Sequence, residues 1–384
     1  MWCVTVYFHI KSQHMKNITK HLKLLYLAVC SILLIQCKKT DVSVPEISKE
    51  TLGKTIFLDE TLSNPEGQSC GSCHLQSTAF TDPSHSNVSP GAVDGLFGNR
   101  NAPTIKYAMF APPLHFGTND SVYTGGLFWD GRVNSLEEQA KKPFFNPVEM
   151  NNTDVNMLAS RIKKSAFYTA FVQLFGETSD AEIMLDNAAD AIAAFERSTE
   201  VNPFTSKYDF YLSKKASLTS LEYEGLQLFK DTAKAKCANC HSIDPDPVSG
   251  KVLFTDFTYD NIGVPKNQYN PYYNIPSSYN PEGYFFIDYG LAGTTHSADN
   301  NGQFKVPTLR NIALTGPYFH NGVFGTLEEV VHFYNKRDVD HTIAPPEVPE
   351  NVNTTELGDL KLTDAEEKAI VAYLKTLTDG YDSP

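Results

Sequence analysis

The residues of this chain best equipped for chemistry are two pentapeptides, Cys70-Gly71-Ser72-Cys73-His74 and Cys237-Ala238-Asn239-Cys240-His241. Two thiols at this spacing can each form a thioether to the edge of one porphyrin, while the next histidine reaches its iron. The pattern predicts two covalent c-type haems, one on Cys70, Cys73 and His74, the other on Cys237, Cys240 and His241. Zinc ribbons and redox dithiols are the alternatives. A zinc ribbon, however, brings its second cysteine pair within about twenty residues rather than one domain away.

The remaining three of the seven cysteines, Cys3, Cys30 and Cys37, all lie near the N-terminus, so no thiol is left for a disulfide framework. That stretch reads as an export signal. Met15 opens a better one than Met1: Lys16, Lys20 and Lys23 form its basic region, and Leu24 to Ile35 is an apolar run too short to span a bilayer comfortably. Leu34-Ile35-Gln36-Cys37 resembles a bacterial lipoprotein signal, in which the cysteine becomes the lipidated first residue. Gln36 is larger than the usual residue there, and an ordinary cleaved signal peptide is the alternative. Either way the protein is expected in the periplasm or a similar extracytoplasmic space, where c-type haems are attached, with Cys37 as the candidate membrane anchor. No later segment is apolar enough for a membrane helix. The net charge of −13 argues against nucleic acid as a partner. An acidic surface suits a basic protein partner, although a merely solvated acidic face is the plainer account.

The elements that must position the two pentapeptides read as mainly helical. Gly53-Lys54-Thr55-Ile56-Phe57-Leu58-Asp59 precedes the first and Gly225-Leu226-Gln227-Leu228-Phe229-Lys230-Asp231 the second, matching at Gly, at an aliphatic, at Phe and at Asp. Each looks like a short helix leading into a haem site. Reciprocal helix caps are expected at Ser135 with Glu138, Thr219 with Glu222, Thr326 with Glu329 and Thr363 with Glu366. Residues 154–175 and 180–199 show helical apolar spacing, whereas 244–302, rich in Pro, Asn, Gly and Tyr, should be irregular. The expected fold is mainly α, with two cytochrome c-like helical domains, each holding one haem, and long irregular loops. The division is a leader over 1–37, a linker over 38–49, a first haem domain over 50–210 and a second over 211–384.

A low-spin second haem needs a ligand opposite His241, and methionine, a common choice, is absent after Met184. His296, His320, His332, His341 and several tyrosines remain.

From Arg100 onward the chain resembles the bacterial di-haem cytochrome c peroxidase and MauG superfamily. The resemblance rests on Arg100-Asn101-Ala102-Pro103-Thr104, Phe128-Trp129-Asp130-Gly131-Arg132, Ser135-Leu136-Glu137-Glu138-Gln139-Ala140, Asn146-Pro147-Val148-Glu149-Met150, Val306-Pro307-Thr308-Leu309-Arg310-Asn311 and Pro317-Tyr318-Phe319-His320-Asn321-Gly322. With both pentapeptides it spans residues 50 to 377.

The resemblance implies that the His74 haem meets peroxide and needs an open site. Where the classical peroxidases carry a removable histidine, this chain has Val93 and neighbours without one, and His85 lies too far upstream. An open or water-bound first haem follows, with no reductive activation step. Glu149 is implied as the proton shuttle, Gln139 as a hydrogen-bonding partner of peroxide or water, and Pro143 as the apolar ceiling over the iron. Trp129, the only tryptophan besides Trp2, is implied as an electron relay between the haems. A calcium ion is implied between Asn101, Thr315 and Pro317, through oxygens that suit a hard cation. Tyr334 occupies the second-haem ligand position, as in MauG-type members, with His332 or water as the alternative. The activity implied is reduction of hydrogen peroxide to water, with electrons from a small cytochrome c or copper protein. A MauG-type oxidase that modifies residues of a partner protein is the alternative, and a plain di-haem electron carrier is the non-enzymatic one.

Overall fold

The computed structural model describes residues 47–118 and 121–382. The expected leader, with Met15 and Cys37, and most of the expected linker lie outside them. Among the described residues there are eleven α-helices: α1 (Lys49–Phe57), α2 (Cys70–Cys73), α3 (Leu136–Phe145), α4 (Val155–Lys164), α5 (Tyr168–Phe175), α6 (Ala181–Glu196), α7 (Lys207–Leu212), α8 (Ser220–Lys230), α9 (Ala292–Thr295), α10 (Leu327–Lys336) and α11 (Asp364–Lys375). No helix among the described residues is long and apolar enough to cross a membrane. Two antiparallel pairs complete the fold, β1 (His115–Phe116) with β2 (Tyr123–Thr124) and β3 (Tyr259–Asp260) with β4 (Phe304–Lys305).

Most of the longer helices start where a side-chain oxygen takes an orphan N–H of the first turn, at Ser48, Ser135, Asp154, Asp180, Ser206, Thr219, Thr326 and Thr363. Three of the four expected reciprocal caps form, before α8, α10 and α11. The fourth is only half made. Ser135 takes the Glu138 N–H at 3.2 Å, but the Glu138 carboxylate turns to the Asn134 N–H at 2.9 Å. The helical spacing over 154–175 also resolves into two helices rather than one. Ser165 leaves the helical region (ψ 155°), and its hydroxyl donates to the Ile162 carbonyl at 2.7 Å, a local bond that competes with the ladder. Residues 244–302 hold little beyond β3, α9 and single helical turns.

The sequence repeat is structural. α1 crosses α6, and α8 crosses α11, so closely that a Cβ on Gly53 would stand 1.8 Å from the Ala191 carbonyl oxygen and one on Gly225 1.9 Å from that of Ala369. Phe57 and Phe229, four residues on, each enter an edge-to-face aromatic triad. In the first, Phe57 meets Phe195 at 5.3 Å and Phe80 at 6.4 Å; in the second, Phe229 meets Tyr373 at 5.2 Å and Phe254 at 6.2 Å. The repeat closes with Asp59, which takes the Thr61 N–H at 2.8 Å, and Asp231, which takes that of Ala233 at 2.8 Å; each carboxylate turns the chain out of its helix. Around these triads grow two hydrophobic cores, one with Ile162, Phe171 and Ala188 and the other with Val331, Ile370 and Leu377.

Within a helix, Gly→Ala ordinarily stabilises by up to about 1 kcal/mol. Here the added methyl meets backbone that cannot rotate away, so Gly53→Ala and Gly225→Ala should instead destabilise by ~2 kcal/mol, within the overpacking range. Thermal unfolding of the haem-loaded protein checks the sign, and an unchanged or raised Tm would show that the crossings are loose.

Candidate active site

The first pentapeptide forms α2, and His74 closes it, its N–H bonded to the Cys70 carbonyl at 2.9 Å. The His74 ring sets Nδ1 3.0 Å from the Phe80 carbonyl. A carbonyl only accepts, so Nδ1 carries the proton and Nε2 keeps its lone pair for a metal. The second pentapeptide repeats this: the His241 N–H bonds to the Cys237 carbonyl at 2.9 Å, and Nδ1 lies 3.0 Å from the Phe254 carbonyl. Burial lowers the pKa of both rings, that of His241 to about 4, so both are neutral at working pH and free to act as ligands.

Phe80 and Phe254 are held in the left-handed region, φ 59° and 56°, which bulky residues seldom adopt. Threonines pin the preceding carbonyls: Thr104 Oγ1 donates to Ala79 O, and Thr308 Oγ1 to Leu253 O, each at 2.6 Å. Sequence reasoning missed both phenylalanines. The shared triplets Phe80-Thr81-Asp82 and Phe254-Thr255-Asp256 were the available signal, masked by unequal loops between each histidine and its phenylalanine.

All four thiols are free. Burial is the main cause that pushes them up, to about 11 for Cys73 and about 12 for Cys237 and Cys240, and higher for Cys70. Among the described residues the one cluster with metal-ligand spacing, Cys240 with Asp260 and Glu356, leaves out Cys237 and His241. The donor set therefore fits covalent haem, and a zinc ribbon finds no support in it.

Both pentapeptides open onto one continuous, mostly apolar cavity of ≈ 440 Å³. Every residue that the resemblance assigns a role lines it: Trp129, Gln139, Pro143 and Glu149, the trio Asn101, Thr315 and Pro317, and Tyr334. Helix α3 presents Gln139 and Pro143, four residues apart on one face, and the turn after it returns Glu149. Asn146 Nδ2 donates to Glu149 Oε1 at 2.8 Å, which leaves Oε2 available. Burial raises the Glu149 pKa against the opposing pull of Arg132 and Asn146. Arg132, which sequence reasoning passed over as a catalytic neighbour, also lines the cavity and stacks 3.6 Å over Phe128.

Trp129 is clamped. Its Nε1 donates to Asn101 O at 2.9 Å, and its own carbonyl takes the Lys305 N–H at 2.9 Å. The Asn101 N–H reaches His320 O at 2.7 Å, and Asn101 Nδ2 donates to Asn87 O at 3.1 Å. Beside this junction Arg100 bridges Asp130 at 2.7 Å and Asp288 at 2.6 Å; although burial works the other way, the guanidinium holds the Asp288 carboxyl well below its usual range.

Tyr334 and His332 lie on opposite sides of α10. The Tyr334 ring faces the cavity beside Phe319, and among the described residues nothing hydrogen-bonds to its hydroxyl. Burial, followed by the two cavity thiols, raises its pKa strongly. His332 instead points outward to Glu367 at 3.2 Å and Asp340 at 3.4 Å. His320 lines the cavity, but its ring stacks flat on Phe304 at 3.6 Å. His85 is exposed, its Nδ1 against Gly316 O at 2.9 Å, and neither His296 nor His341 lines the cavity.

Residues 47–217 match the family described as di-haem cytochrome c peroxidase. The chain is 39% identical over 354 residues to the methylamine utilization protein MauG of Paracoccus denitrificans, covering 87% of this chain and 89% of that one. It is 33% identical over 330 residues to the cytochrome c551 peroxidase of Nitrosomonas europaea, covering 85% and 79%. The crystal structure of the dihaem peroxidase BthA from Burkholderia thailandensis matches with a TM-score of 0.77 at 35% identity, covering 86% of each chain. This chain belongs to the di-haem cytochrome c peroxidase and MauG family, whose members take two haems as cofactors.

Protein made with a c-type maturation system should keep two haems through denaturation, because both pentapeptides are complete. Replacing Cys237 and Cys240 with Ala should leave one, read as intact mass. A wild-type mass carrying one haem or none would contradict the assignment.

Proposed function

We propose that this protein reduces hydrogen peroxide to two waters, taking two protons and two electrons, the electrons from a small cytochrome c or copper protein outside the cytoplasm. Glu149 carries this reading: a carboxyl of raised pKa, tethered at one oxygen, that faces an apolar cavity shared with His74. The haem on Cys70, Cys73 and His74 supplies the redox-active iron.

The chain's own groups do the rest. Glu149 Oε2 takes a proton from one oxygen of peroxide and delivers it to the other, which is easiest for an acid whose pKa is raised towards neutrality. Gln139 orients peroxide or water through its amide. Pro143 offers no ligand and keeps that face dry. Among the described residues no imidazole other than His74, His241 and His320 lines the cavity, which supports a first haem open to peroxide without prior reduction. Trp129, held between Asn101 and Lys305, is suited to relay electrons between the haems. Asn101, Thr315 and Pro317 are the proposed calcium ligands, and residues 50–210 and 211–384 the proposed haem domains. We assign the protein to the periplasm, anchored by a lipid on Cys37.

A second reading is favoured by Tyr334. An anionic oxygen ligand lowers the potential of the second haem and stabilises its oxidised states, which suits a MauG-type oxidase acting on a partner protein more than a carrier of electrons from a small cytochrome.

Glu149→Gln should slow peroxide turnover by about a hundredfold or more with both haem spectra nearly intact. Unchanged turnover at saturating peroxide would remove Glu149 from the mechanism. Tyr334→Phe should turn a low-spin ferric signal high-spin and raise the potential of the second haem while leaving the first haem's spectrum unaltered. An unaltered low-spin signal would exclude Tyr334 as ligand and weaken the oxidase reading with it.

A further inference from the structure

The peroxide chemistry leaves one buried acid unused. Glu196, the last residue of α6, is 4% exposed and lines the cavity beside Cys70, whose thiol feels its charge more than that of any other carboxylate. Its backbone carbonyl takes Asn202 Nδ2 at 2.7 Å, yet among the described residues no group hydrogen-bonds to its carboxyl. A buried carboxyl normally has such a partner.

Neighbouring charges do not compensate it. Arg197, next in sequence, turns away and grips Glu137 of α3 with two bonds, 2.6 and 3.1 Å. From α1, Lys54 lies over the Phe195 ring but is paired with Glu200 at 2.5 Å. Lys141 of α3 is paired with Asp186, and α4 brings the apolar Val155, Leu158, Ala159 and Ile162 to the same core. The same cavity is lined by another acid, Glu149. Burial first of all, with Glu137 adding and Arg197 opposing, pushes the Glu196 carboxyl up to about 8. As a thioether, Cys70 would not titrate.

We propose that Glu196 is the redox-linked proton site of the first haem. This rests on the covalent-haem reading above. With the haem bound, one-electron reduction by an external reductant would remove one positive charge from the site, and the Glu196 carboxylate would take one proton from solvent; reoxidation would return both. The coupling would be strong because Glu196 and Cys70 line the same mostly apolar cavity, where little water would screen the two charges. Glu196 is thus a positioning group for charge, distinct from Glu149, whose task is the proton of peroxide itself.

The test uses the full haem-loaded protein. Its intact mass is taken first, and the midpoint potential of the first haem is then followed spectroelectrochemically from about pH 6 to about pH 10, a range bracketing the raised carboxyl. The wild-type potential should fall as pH rises, because the reduced form binds the proton; Glu196→Gln should flatten the curve, and Glu149→Gln should keep it. Redox difference infrared spectra supply a second readout: a protonated carboxyl band should grow on reduction and vanish in Glu196→Gln. Glu196→Asp retains a carboxyl and should keep a pH dependence with a shifted midpoint. Two haems by mass with the pH dependence unchanged in Glu196→Gln would overturn the Glu196 assignment alone. Absence of covalent haem would overturn the haem reading and this inference together.

Discussion

The structure depends above all on one hydrogen bond made twice, from an imidazole Nδ1 to the carbonyl of a phenylalanine in the left-handed region. That bond fixes which ring nitrogen is left free to bind a metal. A strained backbone of this kind costs of order 1–3 kcal/mol and persists only where its surroundings hold it. Here they do so from both sides. The Phe80 ring is locked in a triad with Phe57 and Phe195, the Phe254 ring in one with Phe229 and Tyr373, and a threonine hydroxyl pins the residue before each. The triads in turn require that α1 and α8 lie close against their partners, which is why glycine stands at 53 and 225.

Between the two cores the contacts change character, from apolar to charged and backbone-mediated. Asp379 gathers Lys106 at 3.2 Å, Tyr107 Oη at 2.7 Å and Asn311 Nδ2 at 2.7 Å, while Arg310, fully buried, is held by Asp209 at 2.9 and 2.8 Å. Paired and hydrogen-bonded charges like these fix register rather than add much stability, since desolvation offsets most of their attraction. Register is what the cavity needs. Trp129 bonds to Asn101 and Lys305, so a small slip between the first and second halves of the chain would displace the one indole that lines the shared cavity.

The pentapeptides stand out in the sequence because thioether chemistry demands a fixed local spacing, whereas Gln139, Pro143 and Glu149 were singled out only by the family resemblance, and one helix and the turn after it bring all three to the cavity. The cap at Ser135 was half legible: the residues are right, but Glu138 found a nearer N–H at Asn134. What was not legible is what the backbone or burial decides. Phe80 and Phe254 act through carbonyls that any residue possesses. Glu196 looks in the sequence like one more acid at a helix end, beside an arginine that should pair with it; only the packing shows that Arg197 reaches Glu137 instead. Tyr334 and His332, two residues apart, could not be ranked from composition, whereas helical geometry sends them to opposite faces.

The contrast at α10 bears on what kind of chemistry the second haem can support. A histidine facing the cavity would offer a neutral ligand; this helix instead spends its histidine on two carboxylates, Glu367 and Asp340, and turns a phenol inward. A phenol in an apolar wall stays protonated, as burial dictates. Were iron to bind there, the phenol would give up its proton and serve as an anionic ligand, which would favour holding oxidising equivalents over passing electrons on quickly.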